Sequence, residues 1–317
     1  MENVSDVPYL TLSGYVELPK YRYVLFIISL ILYIFIVCSN TVLISLIYAH
    51  KSLHEPMYIF LAALFLNALF GTSAFYPKLL NDFFSDSQVI SYPACAVQAF
   101  AIYTYGAAEF TLLSVMAYDR YVSICKPLQY ATIMKISTVK KFLFFAWIFP
   151  ACEIGVMLIL TNRLTLCKFQ LNRLYCDNYS IVKLSCEDTT VNNIYGIFVL
   201  IIAVFPALFF IVFSYIKILV ICHRSSKETR KKALQTCLPH LLVFINFSIN
   251  SVFEIVHHRL QSNIPHIIRM VMSVEFLVIP PLFNPVIYGL KLQEISNRLR
   301  KLFCFKSQLL KIPNSSL

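Results

Sequence analysis

Residues 116–130 read MAYDRYVSICKPLQY, and this stretch places an acid and a base at the end of a long apolar run. Asp119 and Arg120 directly follow residues 94–118, in which Glu109 is the one charged side chain. An arginine at such a boundary keeps its stem in the apolar layer while its guanidinium reaches polar partners, and Asp119 is the nearest one. A half-buried pair of this kind can serve as a latch whose partner changes between two states. An ordinary interfacial anchor is the alternative for this stretch taken by itself.

The composition indicates a membrane protein. The chain has 317 residues, of which 58% are hydrophobic and 14% charged, and this is too apolar for a soluble domain of that length. A transmembrane helix needs about 20 consecutive apolar residues, and runs of that kind recur along the whole chain. The predicted spans are residues 23–49, 57–80, 94–120, 142–162, 189–221, 233–257 and 267–290. We therefore predict an all-α membrane protein, a seven-transmembrane helix bundle that forms a single domain over residues 1–317.

The distribution of lysine and arginine predicts the orientation of the bundle. Cytoplasmic loops carry an excess of these residues, and most of the 27 fall on the inner side if the N-terminus is outside. Residues 1–22 are then an extracellular tail and residues 291–317 a cytoplasmic tail of a multi-pass protein of the plasma membrane. Leu292, Ile295 and Leu299 recur at helical spacing between basic residues, which predicts a short amphipathic eighth helix on the membrane surface. Anionic lipid explains the net charge of +11 without a nucleic-acid partner.

The cysteines on the outer side favour disulfide bonds. They are Cys95, Cys167, Cys176 and Cys186. Four cysteines in an oxidising compartment favour two disulfides, for which the sequence allows three pairings. Asn3 begins a glycosylation sequon on the outer tail and is the predicted glycan site. A second sequon, at Asn178, lies next to a predicted disulfide, and this disfavours its use.

Other functional classes find little support in the sequence. A transporter would ordinarily show internal repeats and helices broken at corresponding positions, and the chain shows no such self-similarity. An enzyme would need a nucleophile, a metal cluster or a phosphate-binding loop, and the usual phosphate-binding patterns do not occur. We therefore predict that the protein is not an enzyme and uses no cofactor or metal.

The opening stretch resembles the end of the third helix and the second inner loop of a rhodopsin-like G-protein-coupled receptor, and specifically of an odorant receptor. Four further stretches agree and lie on the expected spans in the expected order. They are LHEPMYIFLAAL at 53–64, SYIKIL at 214–219, KALQTCLPHL at 232–241 and PPLFNPVIYGLK at 280–291. The resemblance covers essentially the whole chain and extends to the class I type of the family, which serves water-soluble odorants. It implies a receptor that binds a small odorant and activates a stimulatory heterotrimeric G protein, which raises cyclic AMP. A chemosensory receptor of the same fold that serves outside olfaction is the alternative.

The resemblance also implies roles for single residues. Asp119, Arg120 and Tyr121 would form the cytoplasmic switch, with Arg120 meeting the G protein when the sixth helix swings outward. The other residues of the rearranging inner layer would be Tyr215, His240, Asn284, Pro285 and Tyr288. The resemblance pairs Cys95 with Cys176 and Cys167 with Cys186.

Glu109 is the most informative acid inside the predicted membrane spans. It lies eleven residues before Arg120, close to three helical turns, so both side chains share one face of the helix. In the family, a glutamate here joins an aspartate on the second span and the asparagine at Asn284 in a sodium-like site. This sequence departs from that pattern, because Ala68 stands at the aspartate position, next to Asn67. With one acid instead of two, sodium binding is doubtful, and we expect a neutral Glu109 that is hydrogen-bonded to Asn284.

An odorant pocket is expected in the outer half of the bundle, between the third, fifth, sixth and seventh spans. The candidate lining residues are Ile102, Tyr103, Gly106, Ala107, Val199, Leu200, Ala203, Phe247, Ser251, Ile255, Val274 and Val278. Ordinary packing is the alternative for many of them. At the outer end of the sixth span, Arg259 can hold a carboxylate by bidentate hydrogen bonds, which suggests an acidic, water-soluble ligand. Alternatively, Arg259 pairs with Glu254 or with an acid of the outer loop.

Overall fold

A computed structural model describes residues 9–15, 21–224, 228, 237–249, 251 and 266–309. Its long helices are α1 (Arg22–Ala49), α2 (Pro56–Asp82), α3 (Tyr92–Cys125), α4 (Ile136–Thr161), α5 (Thr190–Arg224), α6 (Cys237–Ile249), α7 (His266–Lys291) and α8 (Gln293–Leu309). Within these described ranges, α1 to α5 are long and apolar enough to cross a membrane, and α6 is a shorter apolar helix. The 26 residues of α7 span roughly 39 Å at the α-helical rise per residue. The protein is a mostly helical seven-helix membrane bundle.

Helix α1 shows why this bundle belongs in a bilayer. One face of the helix is buried against its neighbours at helical spacing, through Ile36, Asn40, Leu43, Leu46 and Ile47. The other face exposes large apolar side chains, including Ile27, Ile31 and Phe35. A soluble helix would carry polar residues on that face. The outward face therefore suits hydrocarbon, and α4 and α5 expose large apolar side chains in the same way.

Helix α3 forms the centre of the bundle and packs against α2, α4 and α5. Its residues Ala108, Leu112, Leu113 and Ala117 have no exposed surface. At its outer end, the Ser91 side chain accepts a hydrogen bond from the backbone N–H of Ala94 and caps the helix. The predicted functional side chains of α3 are therefore held on the most enclosed of the five long apolar helices that the structure describes.

A small sheet covers the outer end of the bundle, and the apolar runs and motifs of the sequence do not predict it. Strand β1 (Tyr9–Leu12) lies in the middle, antiparallel to β2 (Val89–Ser91) and parallel to β3 (Gln170–Leu171). The apolar side chains of Leu10 and Leu12 are completely buried. Part of the tail is thus a structural element that ties two outer loops together.

The outer loop between α4 and α5 is held by two disulfides. Cys95 pairs with Cys176 and Cys167 with Cys186, the pairings that the resemblance implies. Asn178 of the second sequon is buried, and its Oδ1 accepts a hydrogen bond from Thr161 Oγ1 at 2.8 Å. This amide is therefore a structural contact rather than a surface acceptor. Asn3 lies outside the described residues.

Helix α8 has the two faces expected of a surface helix. Ile295 is completely buried, and Leu299 packs against the core. Arg300 and Lys301 are exposed. The apolar side of the helix therefore rests on the bundle, while its basic side is open to solvent or lipid headgroups.

A close contact between α2 and α3 yields a stability prediction. A Cβ atom added at Gly71 would lie 2.4 Å from Cγ of Tyr105, whose side chain is fully buried and cannot move aside. We expect Gly71→Ala to destabilise the protein by about 1–3 kcal/mol, the usual effect of overpacking. Thermal unfolding of the purified receptor in detergent measures the effect.

Gly155 on α4 provides the matched control. Within the part of the chain that the structure describes, a Cβ atom there meets nothing within 4 Å, so Gly155→Ala should be neutral or slightly stabilising through helix propensity. Equal melting temperatures for the two variants would contradict the close packing at Gly71.

Candidate functional site

The outer half of the bundle contains a cavity of about 180 Å³ between α3, α4, α5, α7 and the outer loop. The predicted residues that line it are Ile102, Tyr103, Gly106, Ala107, Val199, Leu200, Ala203 and Ser251. An apolar cavity of about 150 Å³ is large enough to bind benzene. The size and largely apolar lining therefore suit a small organic molecule.

Three predicted lining residues lie elsewhere. Phe247 is fully buried in the core, with its ring 4.8 Å from that of Phe110. Val274 and Val278 pack against the same core. Helical spacing identifies an inward face but not which neighbour an inward side chain meets, and this explains the difference. Ile255 and Arg259 lie outside the described residues, so the acidic-ligand hypothesis stays a prediction.

Helix α4 and the outer loop contribute lining residues that sequence reasoning missed. Helix α4 supplies Ile154 and Met157, and the loop supplies Tyr175, Asp177 and Tyr179. Further lining residues are Phe110, Gly196, Val204 and Phe276. One sequence feature indicated the contribution of the loop. The Cys95–Cys176 disulfide that the resemblance implies holds the neighbouring loop residues over α3.

Glu109 lies at the centre of a polar cluster between α2, α3 and α7. The carboxyl is fully buried, and Nδ2 of Asn284 donates to its Oε1 at 3.0 Å. Nδ2 of Asn67 donates to Oε2 at 2.7 Å. Ala68, at the usual aspartate position, is buried without a polar group. Asn67, which directly precedes Ala68, thus supplies the polar contact from α2 to Glu109.

The opening stretch forms a buried network at the inner end of α3. Asp119 accepts hydrogen bonds from Arg120, with 2.6 Å between Nη2 and Oδ2. The Tyr130 hydroxyl donates to the other carboxylate oxygen of Asp119 at 2.8 Å. Burial and then the nearby Asp119 carboxylate raise the pKa of Tyr130, so its hydroxyl stays protonated and keeps donating. Tyr121 packs beside Tyr118, with their ring centroids 6.4 Å apart.

Tyr215 and His240 connect α5, α6 and α3. Nε2 of His240 lies 2.9 Å from the backbone carbonyl of Leu113, and Nδ1 lies 2.5 Å from the Tyr215 hydroxyl. A carbonyl oxygen only accepts, so Nε2 carries the proton, and Nδ1 of a neutral ring accepts from the tyrosine. One side chain therefore joins three helices.

Helix α7 contains three prolines, and α1 compensates for one of them. Pro285 has no backbone N–H, so the carbonyl of Pro281 lacks its usual helical donor. Nδ2 of Asn40 donates to this carbonyl at 3.0 Å. Near the inner end of α7, the ring of Tyr288 is buried against Phe65, with the ring centroids 6.3 Å apart.

Several of the predicted switch residues meet around one small inner cavity. Its lining residues are Met57, Leu61, Met116, Asp119, Arg120, His240, Tyr288 and Leu292. Residues that are far apart in the sequence thus converge below the centre of the bundle. This arrangement allows a movement of α6 or α7 to change the surroundings of Arg120.

Comparisons of the amino-acid sequence with known proteins all point to one family. A family model described as olfactory receptor matches residues 29–306. Human olfactory receptor 52A5 is 35% identical over 282 residues, which cover 87% of this chain and 88% of that protein. Human olfactory receptor 51E1 is 33% identical over 303 residues, covering 95% of each chain.

The fold is that of rhodopsin. The crystal structure of squid rhodopsin aligns with a TM-score of 0.75 at 18% identity, over 98% of this chain and 94% of that one. At this identity the likeness shows the fold alone, and the family model and the human relatives show the family. This chain is an odorant receptor that acts through a G protein, and it belongs to the olfactory receptor family.

Proposed function

We propose that the outer cavity is the odorant site and that the inner cavity opens to a stimulatory G protein, which raises cyclic AMP. The observation that supports this proposal is that residues of one helix, α3, line both cavities. Phe110 of α3 lines the outer cavity, and Asp119 and Arg120 of α3 line the inner one. A ligand that contacts the outer part of α3 therefore acts on the helix that carries the switch.

Two contacts link the cavities through α6. Phe110 packs on Phe247, and two turns further in, His240 bonds to the carbonyl of Leu113. A ligand that displaces Phe110 would move α6 at Phe247 and weaken the bond at His240. Only a ligand that binds the open arrangement more tightly shifts the equilibrium towards it. In this mechanism the odorant favours the arrangement in which Arg120 is accessible from the cytoplasm.

The proposed orientation places the N-terminus outside the cell at the plasma membrane. The disulfide-linked loop and the sheet then lie in the oxidising compartment. Lys135, Lys140 and Lys141, at the start of α4, are exposed at the opposite end. This distribution follows the excess of basic residues in cytoplasmic loops.

One prediction from the proposed function concerns the size of the ligand. A Cβ atom at Gly106 would lie 3.7 Å from Cε2 of Phe276, which is an ordinary contact. Gly106→Ala should therefore fold normally and reduce the cavity slightly, and Gly106→Val should fill more of it. We expect Gly106→Val to raise the half-maximal concentration of the largest active odorants at least about tenfold, because steric rejection in an apolar pocket has that magnitude.

A homologous series of aliphatic odorants, tested by cyclic AMP in cells with matched surface expression, measures this effect. Gly155→Ala, on the same bundle but away from close contacts, is the control. If neither Gly106 variant changes the response to any chain length, the cavity is not the odorant site.

Another prediction from the proposed function concerns the bonds at His240. His240→Phe removes the hydrogen bonds to Leu113 and Tyr215, each worth about 0.5–1.5 kcal/mol. We expect basal cyclic AMP to rise, because the contacts that hold α6 against α3 are lost. Tyr215→Phe removes the bond to His240 and the longer one to the carbonyl of Cys237, at 3.4 Å, but it keeps the bond between His240 and Leu113 and should have a smaller effect. A lower basal and agonist-driven signal in His240→Phe would instead assign these bonds to the active arrangement.

A further inference from the structure

Gln98 of α3 uses both ends of its side-chain amide to bind other segments. Its Nε2 donates to the backbone carbonyl of Ala74 on α2 at 2.9 Å, and its Oε1 accepts from the backbone N–H of Cys176 in the outer loop at 2.9 Å. The side chain is 6% exposed, so both bonds are largely shielded from water. One glutamine therefore joins α3, α2 and the outer loop.

The bond to Cys176 adds to the disulfide at the same residue. Cys95 and Gln98 are three residues apart on α3, about one helical turn. The disulfide holds Sγ of Cys176, and the glutamine holds its backbone N–H. A disulfide alone leaves rotation about several single bonds, whereas a second attachment point also fixes the direction of the backbone. Helix α3 thus sets the direction of the chain at Cys176.

The backbone that Gln98 holds carries part of the cavity wall. Tyr175 directly precedes Cys176 and lines the outer cavity. Its side chain is 2% exposed, and its ring meets that of Phe75 edge-on, with the ring centroids 5.6 Å apart. Since Phe75 follows Ala74, the glutamine and the tyrosine contact adjacent residues of α2. Gln98 and Tyr175 therefore fix the same part of the loop against the same part of α2.

The sheet holds the other end of this loop segment. The backbone N–H of Gly14 donates to the carbonyl of Arg173 at 3.2 Å, and Leu171 of β3 pairs with Leu12 of β1. The segment between Arg173 and the disulfide is therefore short and held at both ends. Loss of the bond at Cys176 would loosen one end and leave the other in place.

The bond to Gln98 also satisfies a buried donor. Cys176 has no exposed surface, so its N–H would lose its acceptor if the glutamine amide were removed. An unsatisfied buried donor is costly. The loop should then shift until this N–H finds another partner, and the shift would carry Tyr175 with it.

We infer that Gln98 is a positioning residue of the odorant site, which acts through Cys176 to hold Tyr175 in place and thereby sets the length of the ligand that the cavity accepts. This inference rests on the proposed function of the outer cavity. Gln98 is not among the described residues that line the cavity, so its effect on a ligand passes through the loop.

The informative variant is Gln98→Leu, which has a similar volume and removes both hydrogen bonds. Cyclic AMP is measured at matched surface expression with straight-chain alcohols, aldehydes, amines and carboxylic acids of about four to ten carbon atoms, a range around the size of benzene. We expect the half-maximal concentration of the best-fitting chain length to rise about three- to tenfold, the range for one neutral hydrogen bond. Longer members should be weakened less, because a loosened wall accommodates them. A merely structural role would instead weaken all chain lengths equally.

Two further variants at this position sharpen the test. Gln98→Glu is the rescue, because a carboxyl oxygen can accept from the Cys176 N–H in either protonation state, and it should keep the wild-type preference for chain length. Gln98→Asn shortens the side chain by one methylene, so it cannot hold both contacts. It should repeat the result of Gln98→Leu, and it takes the place of that variant if Gln98→Leu does not reach the cell surface.

Gln88→Leu is the matched control. Gln88 lies in the turn after α2, where its Nε2 donates to the carbonyls of Asp82 and Ser85 at 3.3 and 2.8 Å. It is not among the described residues that line the cavity. This variant also removes two hydrogen bonds of a glutamine amide, and it should leave the preference for chain length unchanged.

A double-mutant cycle tests whether Gln98 acts through Tyr175. Tyr175→Ala should shift the preference towards longer ligands, because it removes a ring from the cavity wall. In that background Gln98→Leu should shift the preference no further, since the side chain through which it acts is absent.

Hydrogen exchange in the purified receptor measures the loop without a ligand. The Cys176 amide should exchange at least about tenfold faster in Gln98→Leu than in the wild type, because its acceptor is lost and the loop opens more readily. Gln88→Leu should exchange at this amide as slowly as the wild type.

Three outcomes would overturn the inference. They are an unchanged preference for chain length in Gln98→Leu and Gln98→Asn, an equal loss for all chain lengths, and a full further shift in the Tyr175→Ala background. Gly106→Val separates this failure from failure of the proposed function. If the cavity is the site but Gln98 does not position its wall, Gly106→Val still weakens the largest odorants while Gln98→Leu leaves the preference unchanged. Silence of the wild type towards every probe overturns the inference together with the proposed function.

Discussion

The hydrocarbon core of a bilayer offers no hydrogen-bond partners, and much of this structure depends on that constraint. Backbone polar groups at that depth must be satisfied within the protein, so the spanning segments are helices and their outward faces are apolar. Where Pro285 removes a backbone donor, Asn40 of a different helix takes its place at the carbonyl of Pro281. A side chain of α1 therefore satisfies a backbone carbonyl of α7.

The same constraint makes polar groups inside the bundle effective links between helices. Glu109 joins α3 to α2 and α7, and His240 joins α6 to α3 and α5. An unpaired polar group is expensive in a low-dielectric interior, so such contacts favour discrete arrangements over gradual deformation. The contacts at His240 and around Asp119 lie on the side of the bundle that meets the G protein in the proposed mechanism. A small displacement at the outer cavity can therefore change these contacts together.

The outer end of the protein uses different interactions to fix its loop. The two disulfides, the sheet and the buried Asn178–Thr161 hydrogen bond hold the loop against the helices. The loop is consequently a rigid wall of the cavity. Its side chains at Tyr175, Asp177 and Tyr179 can contribute to ligand choice as directly as those of the helices.

The sequence alone predicts the membrane class, the helical bundle and the family resemblance, because apolar runs and motifs are local properties of the chain. It also placed Glu109 and Arg120 on one face of α3, since helical spacing is regular. The folded structure was needed to show that Asn67 contacts Glu109, that Phe247 packs in the core, and that α4 and the outer loop line the cavity. These features depend on the rotation and approach of segments far apart in the sequence. The strand at residues 9–12 shows the same limit, because its pairing partners lie in two distant loops.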